Sequence, residues 1–148
     1  MSRISDRGIA ENFFRRDGRL NRWRYFKRSF IIGLIETLIT SVIFFATANA
    51  LGEVSPAGDK LTKVVDLIGI IPMFFLSVRR LHDMNKGETL AYVLIVLNVL
   101  LVLMSDANTL DMSFEETVIA IPCMIIGLYI LFSPGTKGSN RYGDDPLA

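Results

Sequence analysis

Four apolar stretches limit what this chain can fold into. They cover about residues 29–51, 64–78, 90–104 and 117–133. Each is apolar all round, whereas a helix on the surface of a soluble protein keeps one polar face. A chain of 148 residues has too little mass to enclose four such helices. The sequence therefore predicts an all-α integral membrane bundle with four transmembrane helices. A spanning helix needs about 20 residues, so the second and third stretches either recruit flanking residues such as Leu61 or Thr89 or lie where the bilayer thins.

The basic residues predict which way the bundle faces. Of the 16 Lys and Arg, nine precede the first stretch, two lie in the first loop and three in the second. The third loop has none and the tail has two. Because basic residues accumulate in cytoplasmic loops, we expect both termini in the cytoplasm. The chain then forms a single membrane domain over residues 1–148. Residues 1–28 form a basic interfacial entry segment, and residues 134–148 form a cytoplasmic tail.

A cleaved signal peptide is an alternative interpretation of the first stretch, which ends in small residues at Ala46, Ala48 and Ala50. The long basic region before it and the length of its apolar run disfavour cleavage. The single cysteine, Cys123, cannot form a disulfide within the chain.

The entry to the first stretch mixes aromatic and basic side chains. Asn21 is the predicted N-cap of a helix that continues into the membrane. Aromatic rings at headgroup level and bases near phosphates are typical of an interfacial anchor. A specific site for an anionic headgroup or a protein partner stays open. Nucleic-acid binding is disfavoured, because membrane attachment already accounts for the composition. The residues concerned are Trp23, Tyr25, Phe26, Phe30, Arg22, Arg24, Lys27 and Arg28.

The second loop begins with Arg79 and Arg80, followed by His82 and Asp83. A His-Asp pair can orient an imidazole for acid–base chemistry or for binding a metal. No second His, Cys or nearby carboxylate completes a ligand set, so a hydrogen-bonded turn is the favoured interpretation. We therefore predict no catalytic residue, no metal site and no cofactor.

The tail is rich in Pro, Gly, Ser, Asn and Asp, which do not sustain a helix or strand. Its glycines Gly135, Gly138 and Gly143 would let backbone N–H groups converge on an anion. A disordered tail is the alternative.

These three segments together resemble a bacterial family known as domain-of-unknown-function family 805, whose members are small inner-membrane proteins with four spans. The resemblance covers about residues 13–146 and implies a plasma-membrane location, but no activity. The turn after Asp83 departs from it: a Gly-rich, Trp-containing segment is common there, and this chain has residues 84–89 without Trp. The matching residues near the first stretch are Gly18, Arg19, Arg22, Tyr25 and Phe26. Those of the second segment are Arg79, Arg80, Leu81, His82 and Asp83. Those of the tail are Pro134, Gly135, Thr136, Gly138, Asn140, Tyr142, Gly143 and Pro146.

The predicted topology places all three segments on the cytoplasmic face, where their polar side chains could converge. We hypothesise that the tail folds back under the bundle and that Asp83 pairs with one arginine. The remaining positive charge would then attract an anionic lipid headgroup. The cluster consists of Arg19, Arg22, Arg79, Arg80, His82, Asp83, Asn140 and Arg141.

Among the polar residues inside the apolar stretches, Glu36 in the first and Asn98 in the third stand out as strongly polar groups. An acid inside a membrane is costly, so Glu36 should face the bundle, be protonated or have a cationic partner. Arg79 is the expected partner. Asp66, near the outer end of the second stretch, is not expected to meet Glu36. Asn98 should hydrogen-bond to a neighbour.

The favoured function is a non-enzymatic, lipid-associated scaffold or accessory subunit in the inner membrane. Its expected partners are anionic lipids, with a homo-oligomer or a membrane protein partner also possible. One alternative is a small oligomeric transporter or channel that uses Glu36. Another is a membrane enzyme acting on a lipid headgroup or prenyl phosphate, with His82 and Asp83 as the acid–base pair.

Overall fold

The computed structural model describes residues 8–109 and 112–147. Arg3 and Arg7 of the basic entry segment lie outside these residues. The described residues form helices joined by short loops, with two isolated β-bridges and no longer strand pairing among them. The predicted all-α class is therefore confirmed. The helices are α1 (Ile9–Phe13), α2 (Arg22–Thr47), α3 (Pro56–Asp83), α4 (Thr89–Met104) and α5 (Phe114–Phe132).

Side-chain caps fix where the long helices begin. The Asn21 side chain accepts a hydrogen bond from the Arg24 N–H at 2.8 Å, as the sequence predicts for an N-cap. The α3 helix starts at Pro56, eight residues before the apolar stretch, and continues beyond its end to Asp83. Ser55 caps it by accepting from the Gly58 N–H at 3.1 Å, and proline suits a first helical position. The helix is therefore longer than the apolar stretch of 64–78, because its bounds follow capping rather than apolarity.

Three helices, α2, α3 and α5, are long and apolar enough to cross a membrane. With 16 residues, α4 is shorter, and at 1.5 Å per residue it measures about 24 Å. Large apolar side chains cover the outer surfaces of the bundle; Phe45 is 83% exposed and Phe114 is 79% exposed. So much exposed apolar surface fits a membrane protein.

The helices pack mainly against their neighbours in sequence, α2 on α3, α3 on α4 and α4 on α5. The buried core lies at one end of this arrangement, where α2 begins, α3 ends, α4 begins and α5 ends. We call it the arginine end. Every residue from 76 to 84 is buried there. Leu20, Leu76, Leu81 and Ile130 are fully enclosed in this core.

The opposite end is joined by loop contacts. The Asn108 side chain accepts from the Val54 N–H at 2.6 Å and donates to the Val54 carbonyl at 3.3 Å. Ser113 and Glu116 form a reciprocal capping box that starts α5. The loops at both ends therefore hold the helices in fixed register.

Candidate functional site

Arg80 is fully buried at the arginine end and holds the end of α5. Its Nε donates to the Ile130 carbonyl at 3.1 Å, and its Nη2 donates to the Ser133 carbonyl. It also donates to the Leu20 carbonyl at 3.4 Å. The last carbonyls of a helix have no partner within the helix and carry partial negative charge, so a guanidinium stabilises them. Arg80 therefore works as a cap on α5.

Arg79 and Arg22 bind other helix-end carbonyls. Arg79, 4% exposed, donates to the Glu11 carbonyl of α1 at 3.2 Å. Arg22, an exposed residue, reaches the Phe132 carbonyl at the end of α5 at 3.5 Å. The three arginines thus share one structural task, which is to satisfy carbonyls at the ends of helices.

Asp83 supplies negative charge among these cations. Arg19 donates to its Oδ1 from Nε at 3.1 Å, and Arg80 donates to its Oδ2. The side chains of Arg19, Arg80 and Asp83 are at most 5% exposed. Charges so far from water are tolerated only when they are paired and hydrogen-bonded. Asp83 therefore pairs with two arginines rather than the one expected from the sequence.

The tail folds back onto the end of α3. Thr136 donates to the Asp83 carbonyl from its N–H at 2.8 Å and from its hydroxyl at 2.9 Å. Asn140 donates to the His82 carbonyl at 2.9 Å. A Cβ added at Gly135 would overlap the Asp83 carboxylate, so the tail backbone approaches closely enough to require glycine there. The tail is an ordered part of the bundle and caps α3.

Two of the three glycine N–H groups suggested for anion binding have acceptors within the protein. The Gly138 N–H donates to Asp145 at 3.0 Å, and the Gly143 N–H donates to the Asn140 carbonyl at 3.0 Å. Arg19 in turn donates to the carbonyls of Thr136 and Gly138. Two backbone N–H bonds, from Leu147 and Gly138, lower the pKa of Asp145.

His82 lies between the tail and the start of α4. Its ring stacks on Tyr142, with centroids 3.8 Å apart, and its Nε2 lies 3.5 Å from Glu88 Oε1. Glu88 also accepts from Arg16 Nε at 2.9 Å, and this hydrogen bond lowers the Glu88 pKa. The His82 side chain is 5% exposed. It is packed as a structural element and presents little surface to a substrate.

The turn after His82 contains no tryptophan and closes through Asn85. Asn85 adopts a left-handed conformation, with φ of 56°, and its N–H donates to the His82 carbonyl at 3.0 Å. Asn tolerates this conformation better than most residues. Arg141 donates to the Asn85 carbonyl at 3.3 Å and lies over the Tyr142 ring.

The predicted cluster residues therefore fall into two groups. Five come together in one network at the end of α3: Arg19 and Arg80 bind the Asp83 carboxylate, and Asn140 binds the backbone carbonyl of His82. The two ring nitrogens of His82 are buried and have no hydrogen-bond partner among the described residues. Arg79 lies beside this network and binds α1, while Arg22 and Arg141 lie exposed at its edge. We call the eight residues together the arginine cluster.

The polar residues inside the helices form a second polar region. Glu36 and Asp66 line one cavity of about 300 Å³ between α2, α3 and α4, together with Asn98. Asn98 donates to the Leu94 carbonyl at 2.8 Å and to Cys123 Sγ at 3.2 Å. We call this space the carboxylate cavity.

The pairing of Glu36 with Arg79 that the sequence suggested is wrong. The carboxylate lies against Gly69, where an added Cβ would overlap it. Arg79 is ten residues further along α3, which is about 15 Å and beyond the reach of its side chain. Asp66 was expected at the outer end of a span, but α3 begins at Pro56 and Asp66 therefore lies well inside the helix, facing the same cavity as Glu36.

Sequence reasoning missed Glu88 and the structural role of Tyr142, and it underestimated how far Asp66 lies from the start of α3. The Ser55-Pro56 capping signal could have revealed the longer α3 and with it the depth of Asp66. No comparable signal pairs Arg16 with Glu88 across 72 positions.

A family model described as "Protein of unknown function (DUF805)" matches residues 13–144. The chain belongs to the DUF805 family. The match includes the whole arginine cluster and both acids of the carboxylate cavity, so both polar regions lie within the DUF805 segment. No curated protein and no solved structure matches the chain.

Proposed function

We propose that the protein is a non-enzymatic, multi-pass protein of the bacterial inner membrane that acts as a lipid-associated scaffold or accessory subunit. Its arginine cluster fastens the helix ends and the tail, and the exposed bases at the same end bind anionic lipid headgroups. The observation that carries this proposal is the burial of Arg80 with every donor group bonded to the protein. Such a guanidinium holds structure together and is not available to a substrate.

The helix connections support four spans, including the short α4. The Arg22 to Phe132 hydrogen bond brings the start of α2 and the end of α5 to the same end of the bundle. The α4 helix begins beside the end of α3, and the loop after it reaches Val54 at the opposite end. If α2, α3 and α5 cross a bilayer, α4 crosses it too. The bilayer thins locally or α4 recruits flanking residues to complete its length.

The distribution of exposed bases supports a cytoplasmic arginine end. Lys27 lies over the Trp23 ring at 5.5 Å, and the Trp23, Phe26 and Phe30 rings stack in a row along α2. Arg24 is exposed beside this row. Amphipathic rings with adjacent bases suit the headgroup region of an anionic leaflet. The lipid contacts are therefore assigned to this exposed row rather than to the buried arginines.

The experiment is native mass spectrometry of the gently extracted protein. Arg24→Gln/Lys27→Gln should release anionic lipid that the wild type retains. The control Lys60→Gln/Lys63→Gln removes the same charge at the opposite end and should leave lipid retention unchanged. Equal retention in all three proteins, or a wild type without lipid, would refute the headgroup proposal. A co-purifying protein of fixed stoichiometry would instead identify an accessory subunit.

A second candidate function is passage of a cation, which the carboxylate cavity favours. Two acids line a space between helices whose central parts are mainly apolar. Flux across liposomes that is abolished by Glu36→Gln and kept in Glu115→Gln would support transport. Absence of flux for every cation tested would leave the scaffold as the function.

A further inference from the structure

The carboxylate cavity has a lining of mixed chemistry. Apolar side chains such as Met73, Phe74 and Leu94 form most of its wall. The polar side chains of the lining are Glu36, Asp66, Asn98, Ser29 and Ser77. Small-molecule sites are typically cavities of about 300–1,000 Å³ with apolar walls and a few placed polar groups. At about 300 Å³, this cavity lies at the lower limit of that range.

The two acids lie at matching depth. Glu36 is eleven residues from the end of α2, and Asp66 is ten residues from the start of α3. At 1.5 Å per residue both lie roughly 15 Å from the opposite end of the bundle. This inference rests on the membrane placement proposed above, in which that depth corresponds to the hydrocarbon region. It does not depend on lipid binding at the arginine end.

Within the described residues, the carboxylates of Glu36 and Asp66 make no hydrogen bond and no ion pair. Asp83, in contrast, has two arginine partners. The Asn98 side chain donates its N–H groups to the Leu94 carbonyl and to Cys123 Sγ. Its oxygen accepts no hydrogen bond from the described part of the chain. Ser29 and Ser77 also line the cavity, but their hydroxyls bond to the Phe26 carbonyl and to the Tyr25 hydroxyl. The cavity thus offers carboxyl and amide oxygens as acceptors, and no basic side chain of the described residues lines it.

We propose that the carboxylate cavity binds an organic ammonium ion with a small apolar body. The ammonium group would donate to Glu36, Asp66 and the Asn98 oxygen, and the apolar body would lie against Phe74 and its neighbours. A primary ammonium has three donors and no acceptor, which matches a lining of acceptors. The described residues contain no group of three His, Cys, Asp or Glu that could hold a metal ion, which favours an organic cation over a metal.

The test measures binding to the protein in lipid nanodiscs by isothermal titration calorimetry. Phenethylammonium is the probe, and phenethyl alcohol is the neutral analogue of similar shape. We expect the ammonium to bind and the alcohol to bind at least about tenfold more weakly, because only the cation satisfies the carboxylates. Glu36→Gln should weaken ammonium binding about tenfold, and the matched control Glu115→Gln should not. Equal binding of the two probes, or equal binding to wild type and Glu36→Gln, would overturn the proposal.

A second measurement uses only the wild-type protein, in case Glu36→Gln fails to fold. Dicyclohexylcarbodiimide modifies carboxyl groups in apolar surroundings, and peptide mass spectrometry locates the modification. Phenethylammonium should slow labelling of Glu36 and Asp66 but leave Glu115 unchanged. Labelling that is unaffected by the amine refutes the site. Failure here leaves the headgroup proposal standing, since the probes and residues are different.

Discussion

The arginine cluster and the carboxylate cavity are two polar regions in an otherwise apolar bundle, and they treat charge in opposite ways. In the cluster, Asp83 pairs with Arg19 and Arg80, and further donors of these two arginines bind backbone carbonyls of α5 and of the tail. In the cavity, Glu36 and Asp66 lack partners among the described residues. Paired buried charges stabilise a fold, whereas unpaired acids in apolar surroundings lower stability and are typical of functional sites.

The largest effect is expected from removing the charge at the centre of the cluster. Asp83→Asn leaves Arg19 and Arg80 buried without a counter-charge, and breaking a buried pair costs about 3–5 kcal/mol. The free energy of unfolding in mild detergent, measured by chemical denaturation, should fall by this amount. Asp144→Asn, on the exposed surface of the tail, is the control and should change little. A loss below about 1 kcal/mol for Asp83→Asn would show that the network does not hold the fold.

A smaller loss is expected from removing the tail. Truncation after Ser133 retains the carbonyl that Arg80 binds but removes the donors of Thr136 and Asn140 from the end of α3. Several hydrogen bonds at about 1 kcal/mol each give a loss of about 2–4 kcal/mol. Hydrogen exchange should accelerate over residues 76–84, the buried end of α3.

The truncation has an internal control at the opposite end of the bundle. Exchange around the Asn108 and Val54 contact should stay unchanged, because no tail residue reaches it. Unchanged exchange over residues 76–84 would mean that the tail rests on α3 without stabilising it.

In the cavity, replacing a carboxylate with its amide should change the free energy of unfolding in the opposite direction. Glu36→Gln removes an unpaired carboxylate from apolar surroundings, so stability should stay equal or rise by about 0.5–2 kcal/mol. Thermal unfolding of this variant beside Glu115→Gln measures the difference. Destabilisation comparable to that of Asp83→Asn would show that Glu36 has a structural partner and that the two regions are alike.

The sequence predicts one of these regions better than the other, for a physical reason. Apolarity and the Asn21 cap are local signals, and they predicted the helical class and the start of α2. The side chains of the arginine cluster were found because they lie in three short segments that the topology brings to one face. Their hydrogen-bond partners were not found, because these are backbone carbonyls, which every residue type has. Asp66 was misplaced because apolarity alone underestimates the length of a helix that begins with polar residues.

The smallest effect is expected at the exposed edge of the arginine end, where Glu88 binds Arg16. The hydrogen bond from Arg16 lowers the Glu88 pKa, so it stabilises the folded protein above the unfolded pKa of about 4.3. That contribution is lost as the pH falls through the lower pKa of the folded state. Arg16→Gln should therefore lower the melting temperature slightly at pH 7, by less than any change above, because Arg16 is half exposed. In thermal scans at a series of pH values, the difference in melting temperature between the wild type and Arg16→Gln should disappear below about pH 4. A gap that persists in acid would mean that Arg16 stabilises the start of α4 through packing or its bond to Tyr92, independently of the Glu88 charge.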